Sequence, residues 1–292
     1  MKRFTTFIIL ALGLAVLIPV QSSAVSGNYA ALGDSVAAGA GLSTEVTTCD
    51  RSTSAYPYIV AQSSGLSLSH YACTGAKADE GIYDSQQRGS VTLPAQLDQA
   101  FSNGTPDLIT ITIGANDTRW TQFIRQCYYI RCGYSVDTAR FATYLADLKL
   151  ELNVIMAKIL TMSEGNPPQV IVTGYYTPFS SSACSSTDNL TSSEVSWLRA
   201  RASSLNMAIS GTVGKYSFAD YASVSFAGHE ICSADSWIQS PTDPMPFHPT
   251  AAGQQAIAKA VLAKYTQAEQ SPPATPSYRE RLLKLYERLR QQ

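Results

Sequence analysis

Short apolar runs alternating with longer segments of helical periodicity restrict this chain to few architectures. Residues 29–33, 66–72, 108–113, 170–174 and 217–220 read as strands, being short, apolar and bounded by turn residues. The clearest helix spans 137–162, where Phe141, Leu145, Leu148, Leu152, Ile155, Met156 and Ile159 share one face at spacings of three and four. Segments 188–214 and 250–266 carry similar patterns. Strand–helix alternation predicts a mostly parallel sheet covered on both sides. Such sheets bind ligands outside the carboxyl ends of their strands, so residues just after each strand are the candidates for chemistry.

The ends of the chain read differently from its body. Lys2 and Arg3 precede an uncharged, mostly apolar stretch over 4–20, followed by Gln21-Ser22-Ser23-Ala24. This layout predicts a secretory signal peptide over 1–24, hence a secreted protein. Its apolar run is at the short limit for a membrane span. The main domain is expected over 25–270, a Pro-rich linker over 271–277, and a basic amphipathic helix over 278–292. That tail either touches an anionic membrane or wall polymer weakly, or is a frayed appendage. With the basic leader and tail set aside, the net charge of −1 becomes −6 for residues 25–270, which argues against a nucleic-acid partner. At 45% apolar residues, intrinsic disorder is excluded for most of the chain.

Cys49, Cys73, Cys127, Cys132, Cys184 and Cys232 are even in number in a chain read as exported, which favours disulfides. Sequential pairing, 49–73, 127–132 and 184–232, closes the shortest loops and is the expected arrangement. There is no C-x-x-C, and Cys127 and Cys132 lack His partners at ligand spacing, so a zinc site is not expected.

Four segments carry candidate chemistry. The first strand runs into Gly33-Asp34-Ser35, placing a serine at a strand's carboxyl end, where nearby backbone N–H groups can hold an oxyanion. The strand at 108–113 ends in Gly114-Ala115-Asn116-Asp117, whose Asn116 amide can donate to the same oxyanion. Gly75, after the second strand, offers an unobstructed N–H. His248 lies in a loop entering the last helix and is the candidate base that a serine nucleophile needs. His70, inside a strand, and His229, beside Cys232, read as structural or exposed residues.

Together, Gly33-Asp34-Ser35, Gly75, Gly114-Ala115-Asn116-Asp117 and His248-Pro249-Thr250-Ala251-Ala252-Gly253 resemble the four blocks of the SGNH, or GDSL, hydrolase superfamily. Cys49-Asp50-Arg51-Ser52 followed by Ala55-Tyr56-Pro57 resembles its secreted bacterial esterases and lipases, a subgroup with three disulfides. The resemblance implies a three-layer α/β/α sandwich with a central, mostly parallel five-stranded sheet. It also implies ester hydrolysis with neither metal nor cofactor, through acylated Ser35, with His248 as base and the oxyanion held by Ser35, Gly75 and Asn116. No G-x-S-x-G elbow is present, which disfavours the α/β-hydrolase type of serine esterase.

One departure matters. The family usually places an Asp three residues before its His, and here that position is Met245. Either Asp243 reaches His248 by a shifted loop path, or a backbone carbonyl near Met245 takes its place, and the carbonyl is favoured. Expected partners are a small-molecule or lipid ester, in a monomer. The rival enzyme reading is a carbohydrate deacetylase; the rival from another class is a non-catalytic secreted binding module.

Overall fold

The segment Leu108–Thr112 reads Leu-Ile-Thr-Ile-Thr, and every one of its side chains is buried. A strand buried on both faces belongs in the middle of a parallel sheet. The computed structural model describes residues 27–42, 48–180, 187 and 189–270, with side chains through 265. The expected signal peptide, linker and tail, and Cys184, lie outside the described residues.

The strands are β1 (Asn28–Gly33), β2 (Ser67–His70), β3 (Gln86–Arg88), β4 (Val91–Leu93), β5 (Leu108–Thr112), β6 (Gln169–Thr173) and β7 (Ala219–Ala222). The helices are α1 (Ser35–Ala38), α2 (Tyr56–Ser64), α3 (Gln96–Phe101), α4 (Trp120–Tyr129), α5 (Ser135–Met162), α6 (Ser192–Val213) and α7 (Ala251–Gln270). Five strands form one sheet in the order β2-β1-β5-β6-β7, and all its pairings are parallel. Strands β3 and β4 form a separate antiparallel hairpin, which the sequence reading did not anticipate.

Right-handed crossovers decide the layers. The chain moves one way from β1 through α2 to β2, and the other way from β5 through α5 to β6 and α6 to β7. Helices on these two paths therefore lie on opposite faces. α5 packs on α6, and α2 packs on α7. The result is the three-layer α/β/α sandwich expected from the sequence.

Alternation along β5 sends Thr110 and Thr112 to one face and Ile109 and Ile111 to the other. The threonines are not left unpaired. Tyr29 Oη bonds Thr110 Oγ1 at 2.7 Å, Tyr56 Oη bonds Thr112 Oγ1 at 3.0 Å, and Thr112 bonds Thr173 at 2.7 Å. This hydroxyl ladder satisfies every buried Thr in the sheet centre, as burial requires.

The strand expected at 217–220 lies two residues later in β7. Helix α6 starts at Ser192 rather than 188 because Thr191 and Glu194 form a capping box, each side chain satisfying a backbone N–H of the other end. Helix α5 starts two residues before the predicted 137, with Asp137 accepting from Tyr134 N at 3.1 Å. Disulfides join Cys49 to Cys73 and Cys127 to Cys132, the first two expected pairs.

Candidate active site

β1 and β5 are neighbours, yet the chain leaves them in opposite directions, so the crevice between their carboxyl ends is the topological switch point of the sheet. Ser35 follows β1, and Asn116 follows β5. The turn after β1 is shaped by Asp34, whose Oδ1 caps α1 by accepting from Val36 N at 2.9 Å. Ser35 is the first residue of that helix, so its N–H has no intrahelical acceptor. Its side chain is half-buried at the mouth of the crevice.

The structure brings Ser35 and His248 together: Ser35 Oγ lies 2.7 Å from His248 Nε2. The other ring nitrogen, Nδ1, lies 3.1 Å from the carbonyl oxygen of Pro246. A carbonyl only accepts, so Nδ1 carries the proton and Nε2 presents its lone pair to the serine hydroxyl. Burial pushes the His248 pKa below its ordinary value, while the Pro246 and Met245 carbonyls pull it back up. The hydrogen bond from Nδ1 runs to Pro246 O, and the expected Met245 carbonyl also lies close enough to favour the charged ring. Met245 O also accepts from His248 N at 3.3 Å, closing the turn.

Asp243 is exposed, and its carboxylate accepts from Ser240 N at 2.5 Å. It caps its own turn and is not bonded to the imidazole.

Asn116 is half-buried, and its Nδ2 donates to Ala76 O at 2.9 Å, leaving its second hydrogen unused. Gly75 takes φ +84°, a left-handed conformation, and its N–H enters no hydrogen bond among the described residues. The loop holding it is tied to the end of β1 by Cys73 N donating to Gly33 O at 2.9 Å.

His70 and His229 stand elsewhere. His70 Nε2 meets Ala37 O at 3.0 Å, and burial lowers its pKa to about 4. His229 stacks on Trp237 at 3.6 Å and pairs with Asp235. Among the described residues, no group of three or more His, Cys, Asp or Glu side chains is arranged to hold a metal ion.

Several supporting residues escaped the sequence reading. Gln239 Nε2 donates to Ala40 O at 3.0 Å and to Pro249 O at 3.1 Å, joining the histidine loop to the segment after α1. Gln254 receives Tyr56 N at 2.9 Å and donates to Val36 O at 2.9 Å, locking α7 and α2 behind the nucleophile helix. Tyr175 donates to Asp34 Oδ2 at 2.5 Å and receives Ala115 N at 3.2 Å, bridging the serine turn to the asparagine turn. Their only sequence signal is that buried Gln and Tyr need partners, and nothing local says which.

A narrow cleft at Ser35 and His248 opens into a cavity of about 350 Å³. Ile124, Arg125, Tyr128, Tyr129, Met245 and Phe247 contribute to its wall. That volume and its mainly apolar lining suit a small ligand.

A parallel α/β/α sandwich with a serine–imidazole hydrogen bond at its switch point, and no G-x-S-x-G elbow, has the layout of a serine hydrolase outside the α/β-hydrolase type. The chain belongs to the GDSL-like lipase/acylhydrolase family, which matches residues 31–256. Over 236 residues it is 31% identical to a lipase of Streptomyces rimosus, covering 78% of this chain and 82% of that protein. It is 28% identical to Lipase 1 of Streptomyces coelicolor, over 83% of this chain and 87% of that one. The crystal structure of the Streptomyces rimosus extracellular lipase shares the fold with a TM-score of 0.66 at 29% identity, over 81% of this chain and 99% of that one. A phospholipase A1 from Streptomyces albidoflavus NA297 shares the fold at 24% identity and a TM-score of 0.61, over 82% of this chain and 99% of that one. The protein is an ester hydrolase.

Proposed function

We propose that this ester hydrolase uses Ser35 as nucleophile and His248 as general base, in a dyad whose imidazole is oriented by the backbone carbonyl of Pro246. The observation carrying this is the 2.7 Å approach of Ser35 Oγ to His248 Nε2 while Nδ1 faces a carbonyl. His248 takes the hydroxyl proton as Ser35 attacks the ester carbonyl. The oxyanion is received by the N–H groups of Ser35 and Gly75 and by the free hydrogen of Asn116. Collapse expels the alcohol, which receives the proton from His248; a water then repeats the cycle on the acyl-enzyme. Each oxyanion donor is worth about 3 kcal/mol of barrier, a hundredfold or more in rate.

The substrate we propose is a lipid ester rather than a sugar acetate. The apolar cavity beside His248 can hold an acyl chain, and the Streptomyces rimosus and Streptomyces coelicolor relatives are lipases. We also propose export with cleavage after Ala24, a main domain over 25–270, and a third disulfide between Cys184 and Cys232. Support comes from the leader pattern and from the two sequential bridges already present. The test is labelling by a fluorophosphonate together with turnover of p-nitrophenyl esters of increasing acyl length and of an acetylated sugar. Wild type should be labelled at Ser35 and prefer acyl esters, and Ser35→Ala should lose both. Turnover retained by Ser35→Ala would end the assignment.

A further inference from the structure

The end of α4 and the turn after it break the usual rule that large apolar side chains are covered or scattered. Tyr129 and Ile130 are each 74% exposed, and Tyr134 and Val136, a few residues on, are also exposed. The Cys127–Cys132 disulfide pins both ends of the segment that displays Tyr129 and Ile130. The apolar tip is thus held out by a covalent clamp rather than being a frayed end.

Two further observations say what such a tip faces. The first is continuity with the site. Tyr129 and Tyr128 belong to the wall of the 350 Å³ cavity that reaches His248, so the tip is the outer lip of the same opening. The second is charge. Residues 25–270 carry a net charge of −6, yet 119–140 hold Arg119, Arg125, Arg131 and Arg140 against a single acid, Asp137. Asp137 is buried, its carboxylate bonded to Tyr134 N and Gln126 Nε2 and 3.9 Å from Arg140. Arg131 stands only 3.9 Å from Glu194, a loose pair, and Arg125 is exposed at the cavity wall. An acidic protein therefore carries two exposed arginines, Arg125 and Arg131, beside an apolar lip at the mouth of its site.

From this juxtaposition we infer that the 129–136 tip seats the enzyme on an anionic phospholipid surface, with Ile130, Tyr134 and Val136 entering the interface and Arg125 and Arg131 meeting lipid phosphates. Apolar side chains gain by leaving water, and a tyrosine ring suits the boundary, with its body apolar and its hydroxyl wet. Each Arg near an anionic leaflet adds attraction that salt weakens. Docking at this lip brings the mouth of the cavity against the lipid, so an acyl chain can leave the surface and enter beside His248 without crossing bulk water. This rests on the ester hydrolase reading and locates its substrate at an interface.

The test is co-flotation of the full chain with phosphatidylglycerol and phosphatidylcholine vesicles, alongside turnover of a water-soluble short ester and of a long-chain ester dispersed in the same vesicles. Wild type should float with phosphatidylglycerol and release as salt rises. Ile130→Asp should lose retention and vesicle-bound turnover by about tenfold or more, with soluble-ester turnover unchanged; Ile130→Trp should keep both. Arg131→Gln should weaken retention on phosphatidylglycerol alone and flatten its salt dependence. Equal retention of Ile130→Asp and wild type, or retention lost only on deleting 271–292, would overturn the inference. Salt-independent binding, equal on both lipids, would overturn it too. Failure to hydrolyse the soluble ester would instead strike the enzymatic reading, because flotation reports docking without chemistry.

Discussion

Tyr176 donates its phenol to the carbonyl of Phe247 at 2.6 Å, and Phe247 is the residue immediately before His248. Phe247 takes φ +64°, a left-handed conformation that a bulky side chain rarely adopts. The tyrosine ring is itself held, stacked on Phe226 with centroids 4.3 Å apart. Strain of this kind persists only where surrounding contacts over-determine it, and it gathers at functional sites. Here the kink turns the chain so that Pro246 O faces the imidazole its own loop carries. Tyr176 is a positioning residue for His248, acting through one backbone carbonyl.

Tyr176→Phe should therefore lower kcat on a soluble ester by roughly five- to tenfold, the weight of one buried hydrogen bond of about 1 kcal/mol. KM should stay near its wild-type value. The ring and its stacking survive in Phe, so stability should fall only by about the 1 kcal/mol of one lost hydrogen bond, and a fall in kcat with unchanged KM marks positioning rather than general damage. An unchanged kcat would mean that the Phe247 kink holds without the bond.

Asp243→Asn tests the dyad directly. Asparagine can still accept from Ser240 N, so the turn should persist, and activity should stay within about twofold of wild type. A triad acid would cost roughly 10⁴-fold. The pH profile gives a second check. His248 must be neutral to accept the serine proton, and burial depresses its pKa from 6.5. The acid limb of kcat/KM should accordingly fall below pH 6.5, with the rate lost as pH drops through it.

The layer order was legible in the sequence, and so were Ser35 and His248, the two residues the structure brings within 2.7 Å, for a common reason. Each is a local pattern: apolar runs such as 108–113, or a Ser or His just beyond a strand or before a helix. What was not legible depends on contacts between distant segments. Asp243 was a reasonable candidate by distance along the chain, but its carboxylate is taken by Ser240 N three residues away. The path that brings the Pro246 and Met245 carbonyls to the imidazole includes a left-handed Phe247, whose carbonyl is held by Tyr176, some seventy residues earlier. Helix α2 escaped because its apolar face is short and its start rests on Gln254 from the far end of the domain. The lip at 129–136 carries no sequence pattern that marks it, because its direction comes from the Cys127–Cys132 disulfide and the cavity wall.

Gly33 illustrates how tightly the serine turn is packed. It takes φ +141°, and a Cβ there would lie 2.5 Å from the Thr112 carbonyl oxygen, a backbone atom that cannot swing away. Gly33→Ala should cost at least about 2 kcal/mol, from strain and overpacking together. Gly165→Ala is the control, since Gly165 also has a left-handed φ, +83°, but a Cβ there meets nothing within 4 Å. Thermal melting should show the larger loss at Gly33; equal losses would assign the whole effect to backbone conformation.

Asp34 links the same turn to pH. It is fully buried, and burial raises its pKa to about 7, against the lowering effect of the Tyr175 hydroxyl. The unfolded chain's aspartate titrates near 3.8, so between these values the folded state binds a proton that the unfolded state does not. Stability from this group is therefore full below about pH 4 and is lost as pH rises through about 7. Asn cannot titrate and remains a good helix N-cap, so Asp34→Asn should keep the turn while removing this slope. The difference in melting temperature, wild type minus Asp34→Asn, should be greater at pH 5 than at pH 8. Taking the difference cancels the opposite slopes of His70 and His248, whose depressed pKa values make the fold lose stability towards acid. A difference that grows with pH would mean that Asp34 is ionised throughout, with the Tyr175 bond strong enough to outweigh its burial.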